Sequence, residues 1–169
     1  MTFAPVTPDR RLVIAFREAG VAVAILSLAK CRDLVKVLIY PRTKVLGATE
    51  SQLLVSLDKL MSDEDDLFSE LYIVLAGTAS EEVMCEIQPT FAGSRLTPAR
   101  QAATMLVTRH GVSSNEDKII NDAYIVAKQF VVENRSAIAR VAEALLHKSE
   151  LTGQEVAQLV SAEYAPSCS

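Results

Sequence analysis

The stretch that decides the fold is residues 12–29, LVIAFREAGVAVAILSLA. Its first half repeats apolar residues at helical spacing, and beyond Ala19 it is apolar on every side, which is typical of a helix buried at the centre of a domain. Thr7-Pro8 offers a cap followed by proline, so we predict a helix from Pro8 to Lys30. Its apolar run, 19–29, is shorter than the ~20 residues that a membrane-spanning helix needs.

The composition agrees with a helical domain. Of the 169 residues, 50% are hydrophobic but only 5% are aromatic, and none is tryptophan. Ala, Val, Leu and Ile therefore make up the apolar part, which suits closely packed helices better than aromatic-rich strands. The net charge of −4 argues against a general nucleic-acid-binding protein, because such a protein needs a basic face toward phosphate.

The rest of the chain alternates short apolar patterns with helix caps and turns. Residues 34–40 alternate and are rich in branched side chains, which indicates a strand closed by Pro41, and 43–49 indicate a return strand or an extended loop. An amphipathic pattern then predicts a short helix over 51–61, and capping patterns predict further helices over 62–85, 98–110, 114–133, 136–147 and 152–164. We therefore predict a mainly α domain over 8–164 with a small β element near 34–49, a loose lead-in at 1–7 and a frayed tail at 165–169.

The cysteines and histidines do not form a recognisable site. Cys31, Cys85 and Cys168 are odd in number and far apart, which favours free thiols in a reducing compartment. His110 and His147 have no neighbour at ligand spacing. Because no secretory signal is visible either, we expect a soluble protein of the cytoplasm or of an organelle matrix.

Five segments of the chain, taken in order, form a pattern that covers most of it. They are Arg17-Glu-Ala-Gly-Val21, Val35-Lys-Val-Leu-Ile-Tyr-Pro-Arg42 with Leu46-Gly47, Leu75-Ala-Gly-Thr-Ala-Ser-Glu-Glu-Val83, Ser94-Arg-Leu-Thr-Pro-Ala-Arg-Gln-Ala102, and Leu151-Thr-Gly-Gln-Glu155. In this order they resemble the peptidase domain of the FtsH family of ATP-dependent zinc proteases, which has His-Glu-Ala-Gly-His where the first segment stands. The resemblance covers about 8–164 and implies that family's helical fold, whereas we expect neither its ATPase module nor its membrane helices in this chain.

The resemblance also implies that the zinc site has been lost. In the family, two histidines four residues apart and a distant aspartate hold zinc, and the glutamate beside the first histidine polarises a water molecule. Here the histidine positions are Arg17 and Val21, and the aspartate position falls on Arg95, or on Ser94 or Leu96 if the alignment slips by one. Valine has no donor atom and arginine offers no lone pair. We therefore expect no metal, no cofactor and no catalytic residue, with Glu18 left as a vestige.

The glutamate that remains should attract a cation. We predict that Arg95 or Arg17 points into the former metal pocket and pairs with Glu18. The alternative is that Arg17 and Glu18 both face solvent on the first helix.

Three functions are compatible with these patterns. The first is a proteolytically inactive structural or assembly subunit of a larger protein complex. The second is a peptide-binding or regulatory module that uses the edge of the strand at 34–40. The third is a hydrolase with a rebuilt site. We expect protein partners rather than nucleic acid or a membrane, and the six-fold rings of the family's peptidase domains imply self-association.

Overall fold

The structure is a computed structural model that describes residues 9–40, 47–89 and 96–162. These residues form seven helices and three strands, in the order α1 (Arg10–Leu28), β1 (Arg32–Ile39), β2 (Gly47–Leu53), α2 (Leu57–Ser62), α3 (Glu64–Cys85), α4 (Thr97–Thr108), α5 (Glu116–Glu133), α6 (Arg135–Lys148), β3 (Glu150–Thr152) and α7 (Gly153–Ser161). The predicted mainly α class with a small β element is confirmed. The predicted domain limits at 8 and 164 lie outside the described residues.

Helix α1 forms the centre of the domain, as its apolar sequence predicts. It packs on α3, α6 and β1, and its second half buries Ala19, Ala22 and Val23 completely. The N-terminus of α1 is capped by the side chain of Asp9, which accepts a hydrogen bond from the Arg11 backbone N–H. The predicted start at Pro8 is therefore wrong, because α1 begins at Arg10, while the predicted cap, Thr7, lies outside the described residues. Among the helices of the described ranges, none is long and apolar enough to cross a bilayer.

The sheet has the strand order β2-β1-β3, and both pairings are antiparallel. Val37 lies at its centre, opposite Thr49 on one side and Leu151 on the other. Strand β1 therefore has partners along both edges, and the expectation that the strand at 34–40 offers an open edge is wrong. Strand β3 was not predicted, because its three residues pair only where the end of α6 brings them beside β1.

Helices α2 and α3 begin later than the sequence predicts. Residues 51–53 belong to β2, opposite 32–34 of β1, so the predicted helix over 51–61 is wrong in its first part and α2 begins only after its cap, Ser56. Helix α3 is capped by Asp63 rather than Ser62, whose hydroxyl donates instead to the Lys59 carbonyl at the end of α2. In contrast, the predicted capping box of α7 is confirmed, because Thr152 and Glu155 bond each other's backbone amides.

Helices α1 and α3 approach each other closely at Gly20. A Cβ atom on Gly20 would lie 1.9 Å from the Ser80 hydroxyl oxygen, 2.8 Å from the Ser80 Cβ and 3.0 Å from the Ala76 carbonyl oxygen. The contact is completely buried on the Ser80 side. Only a residue without a side chain lets the two backbones pack at this distance.

We predict that Gly20→Ala destabilises the protein by about 2 kcal/mol, because the added methyl group overpacks the α1–α3 contact. Gly77→Ala is the matched control. Its Cβ would lie 3.0 Å from Cγ2 of Val21, 3.1 Å from Cγ of Arg17 and 3.6 Å from the Arg17 carbonyl oxygen, and alanine is the better helix former by about 1 kcal/mol. Urea unfolding should show a clearly larger loss for Gly20→Ala, and equal losses for the two variants would contradict this account.

Candidate functional site

The residues singled out in the sequence lie in the middle of α1, against α3 and β2. Arg17 and Val21 are one helical turn apart and therefore share a face of α1. Both contact α3 at Gly77, where the absence of a side chain leaves room for the arginine stem and the valine methyl group. Together with Glu18, Val74 and Thr78 they line a cavity of about 240 Å³.

Glu18 is enclosed rather than solvated, with 7% of the residue exposed. One of its oxygens, Oε1, accepts hydrogen bonds from Nε of Arg17 at 3.1 Å and from Nη2 at 3.0 Å. The other, Oε2, accepts a hydrogen bond from the Thr49 hydroxyl at 2.7 Å. The prediction that an arginine pairs with Glu18 is confirmed for Arg17, and the alternative that Arg17 and Glu18 both face solvent is wrong. Arg95, the other arginine of that prediction, lies outside the described residues.

Strand β2 packs directly against Glu18. A Cβ atom on Gly47 would lie 2.5 Å from Cγ of Glu18 and 2.6 Å from Cγ2 of Ile14, so a glycine is needed where the strand crosses α1. Thr49 stands two residues further on and hence on the same face of the strand, which brings its hydroxyl to Glu18. Sequence reasoning noted Gly47 but gave Thr49 no role.

The arginine contacts a second carboxylate across the helix pair. Nη1 of Arg17 lies 3.5 Å from Oε1 of Glu81 on α3, and all three side chains are largely buried. One guanidinium group thus lies between carboxylates from two helices, which its planar arrangement of five N–H donors permits. Of the other candidates, Ser94 and Arg95 lie outside the described residues, whereas Leu96 is buried in the core.

The side chains at this site do not fit a zinc ion. Arg17 brings a positive charge and no lone pair, and Val21 brings only carbon. Within 9–40, 47–89 and 96–162, no three His, Cys, Asp or Glu side chains come together in a way that could hold a metal. His110 lies elsewhere, with Nε2 3.1 Å from the Met61 carbonyl oxygen.

Both cysteines of the described residues have a raised thiol pKa. Burial, together with a hydrogen bond to Asp66, raises the pKa of Cys31, whose sulfur donates to that carboxylate at 3.2 Å. Burial and the nearby charge of Glu81 raise the pKa of Cys85. A raised pKa disfavours the reactive thiolate form.

Glu82, the neighbour of Glu81, ties α3 to α5. Its carboxylate accepts hydrogen bonds from the Tyr124 hydroxyl and, at 2.8 Å, from Nζ of Lys128. The bond to Lys128, followed by that to Tyr124, lowers the pKa of Glu82. Desolvation and the same carboxylate raise the pKa of Tyr124. These contacts favour the interpretation that Glu81 and Glu82 support the fold rather than act as an acid–base pair.

Comparison with known proteins identifies the class to which this helical domain belongs. The family model for peptidase family M41 matches residues 4–119, more than half of the chain. FtsH 2 of Thermoanaerobacter sp. (strain X514), an ATP-dependent zinc metalloprotease, is 30% identical over 91% of this chain and 33% of its own length. FtsH 4 of Sorangium cellulosum (strain So ce56) is 27% identical over 95% of this chain and 30% of its own.

The chain therefore belongs to peptidase family M41, and the matched region is the peptidase domain of FtsH-type proteins. The resemblance noted in the sequence is confirmed at the level of the family and the fold. The chain spans about a third of the length of these curated relatives.

The Arg17–Glu18 pair should contribute measurably to stability. We predict that Arg17→Met lowers the free energy of unfolding by about 3 kcal/mol, because it leaves enclosed carboxylates without their cation. Adding Glu18→Gln should recover part of that loss. Arg100→Met, which breaks the exposed pair of Arg100 with Asp117, is the control and should cost at most about 1 kcal/mol. A cost for Arg17→Met no larger than the control's would contradict the role given to this pair.

The contacts of Glu82 predict a specific pH dependence. Because its pKa is lowered from the usual 4.5 in the folded protein, its stabilising contribution is present above about pH 4.5 and is lost as the pH falls through the folded value. Glu82→Gln should therefore be less stable than the parent at pH 7, and the difference in urea midpoint should shrink below pH 4. Glu133→Gln, at the exposed end of α5, should show no such change.

Proposed function

We propose that this chain is a proteolytically inactive member of peptidase family M41 that serves as a structural or assembly subunit of a larger protein complex. The observation that carries the proposal is the contact between Arg17 and Glu18 at 3.0 Å. The carboxylate that would polarise water in an active relative is here bound on both oxygens by side chains of the same chain.

We assign Arg17, Val21 and Arg95 to the three positions at which active relatives carry zinc ligands. Zinc in such a site lowers the pKa of a bound water and polarises the peptide carbonyl. Val21 cannot coordinate a metal, and the Arg17 guanidinium repels one. The elements that build the domain, in contrast, are kept, from the buried helix α1 to the capping box of α7. A stable fold with this set of side chains supports a structural role rather than hydrolysis.

A second candidate function is a peptide-binding or regulatory module. The observation that favours it is the position of β2, which ends the strand order of the sheet in the described residues and lies directly over Glu18. An extended peptide can add a strand to such an edge. This candidate differs from the first in requiring binding of unfolded chains.

Metal analysis and a cleavage assay test the inactivity. After incubation with zinc and gel filtration, we expect far less than one zinc per chain, and we expect no cleavage of fluorescein-labelled casein. The double variant Arg17→His, Val21→His is the matched comparison, because two imidazoles one turn apart are zinc ligands and should raise the zinc content. Stoichiometric zinc together with chelator-sensitive cleavage by the parent chain would refute the proposal.

Co-purification tests the assembly role. From its native source, the tagged chain should emerge with the same partner proteins in fixed stoichiometry, and unfolded casein should not compete with them. Binding of casein without cleavage and without fixed partners would favour the peptide-binding module instead.

A further inference from the structure

A second concave surface lies away from the site just described, where α2, the first half of α3 and α4 meet. We call it the α2–α4 groove. It has a volume of about 390 Å³, within the range of about 300–1,000 Å³ of ligand pockets, and its lining includes the ion pair of Arg32 and Glu70. The remaining lining is mostly apolar and includes Leu57, Leu60, Met61, Leu67, Ala102 and Met105.

Two large apolar side chains at or just before the start of α2 are exposed to solvent. Leu57, at the start of α2, is 59% exposed, and Leu54, three residues earlier, is 54% exposed. The two methionines of the lining, Met61 and Met105, have flexible and polarisable side chains that adapt to different apolar partners. Clustered exposed apolar side chains around a groove are typical of interaction sites.

One side of the groove, formed by α2 and the start of α3, belongs to an acidic stretch of the chain, whereas α4 carries only Arg100, which pairs with Asp117. Residues 58–70 contain six acidic side chains and one lysine, whereas the whole chain has a net charge of only −4. Arg32 neutralises Glu70, with its Nε at 2.7 Å from the carboxylate. Asp58, Glu64 and Asp65 are exposed on the same turns that supply the apolar lining. An apolar groove beside such charges favours a partner that is apolar on one side and basic around it.

We infer that the α2–α4 groove binds an amphipathic helix of a partner protein, with apolar side chains in the groove and lysine or arginine beside the acidic turns of α2 and α3. A helix that lays its apolar face into a groove is a common mode of protein recognition. A second copy of this chain fits less well. Its exposed apolar helix face, around Ile125 and Val132 on α5, is accompanied by both acidic and basic residues, and each copy is acidic overall.

This inference rests on the proposed assembly role and adds to it the chemistry of the partner. It can fail independently of the inactivity, because α1 and β2 do not contribute any side chain to the groove. If the chain bound zinc and cleaved casein, the proposed inactivity would be wrong. If the peptide described next did not bind, only the groove would be ruled out as a partner surface.

Methionine methyl NMR on the full chain tests the inference directly. The probe is a synthetic helical peptide of about 18 residues with leucine along one face and lysine on the others. Its addition should shift the methyl signals of Met61 and Met105, whereas that of Met84, which lies outside the groove lining, should stay in place. A peptide of the same pattern with glutamate in place of lysine should bind at least about tenfold more weakly. Binding of the lysine peptide should weaken as salt is raised.

Point variants locate the binding surface. Leu57→Ser should weaken binding of the lysine peptide about tenfold, because it removes an apolar side chain of the groove, and it should leave the thermal midpoint nearly unchanged because Leu57 is exposed. Ile125→Ser, which removes a 68% exposed side chain on α5, is the matched control and should not affect binding.

Three results would overturn the inference. One is equal binding of the lysine and glutamate peptides or binding of neither. Another is an equal loss in the Ile125→Ser control. The third is a concentration-dependent shift of the Met61 and Met105 signals without peptide, which would assign the groove to a second copy of this chain.

Discussion

The close packing of α1 on α3 is the constraint on which the rest of the structure depends. It requires glycine at Gly20 of α1, where the backbone meets Ser80, whereas at Gly77 the α3 backbone packs against side chains of α1. Because the helices approach this closely, Arg17 is pressed against α3 and reaches Glu81, while Glu18 is turned toward β2. The packing that builds the core therefore also determines which charged groups meet.

Charge balance follows from that packing. An enclosed carboxylate is costly unless it is paired and hydrogen-bonded, and Glu18 has both forms of compensation, from Arg17 and from Thr49. A guanidinium keeps its positive charge at every relevant pH and can serve Glu18 and Glu81 at once, which a lysine would do less well. The positive charge beside Glu18 is thus supplied by a side chain of the protein itself, Arg17. The stability of the core therefore depends on this one arginine.

Much of the fold could be predicted from the sequence, because helices carry local signals. The apolar pattern of α1 and the capping box at Thr152 specify their elements without reference to the rest of the chain. Residues 51–53 gave no such signal, since pairing with β1 makes them a strand, and β3 likewise depends on where α6 ends. The site was predictable only in part. Arg17 and Glu18 are neighbours in sequence, whereas Thr49 reaches Glu18 through a strand crossing that no local pattern reveals.

Helix α3 connects the two surfaces of the domain that bear on function. Its early residues Leu67 and Glu70 line the α2–α4 groove, whereas Gly77 and Glu81 face the pair of Arg17 and Glu18. Glu70 and Gly77 are seven positions apart in the helix, about 10 Å along the axis. The groove is open and apolar, while the charged site is closed by its own side chains. A partner seated in the groove would thus contact the rigid helix that holds the charged site, without needing any residue of that site to move.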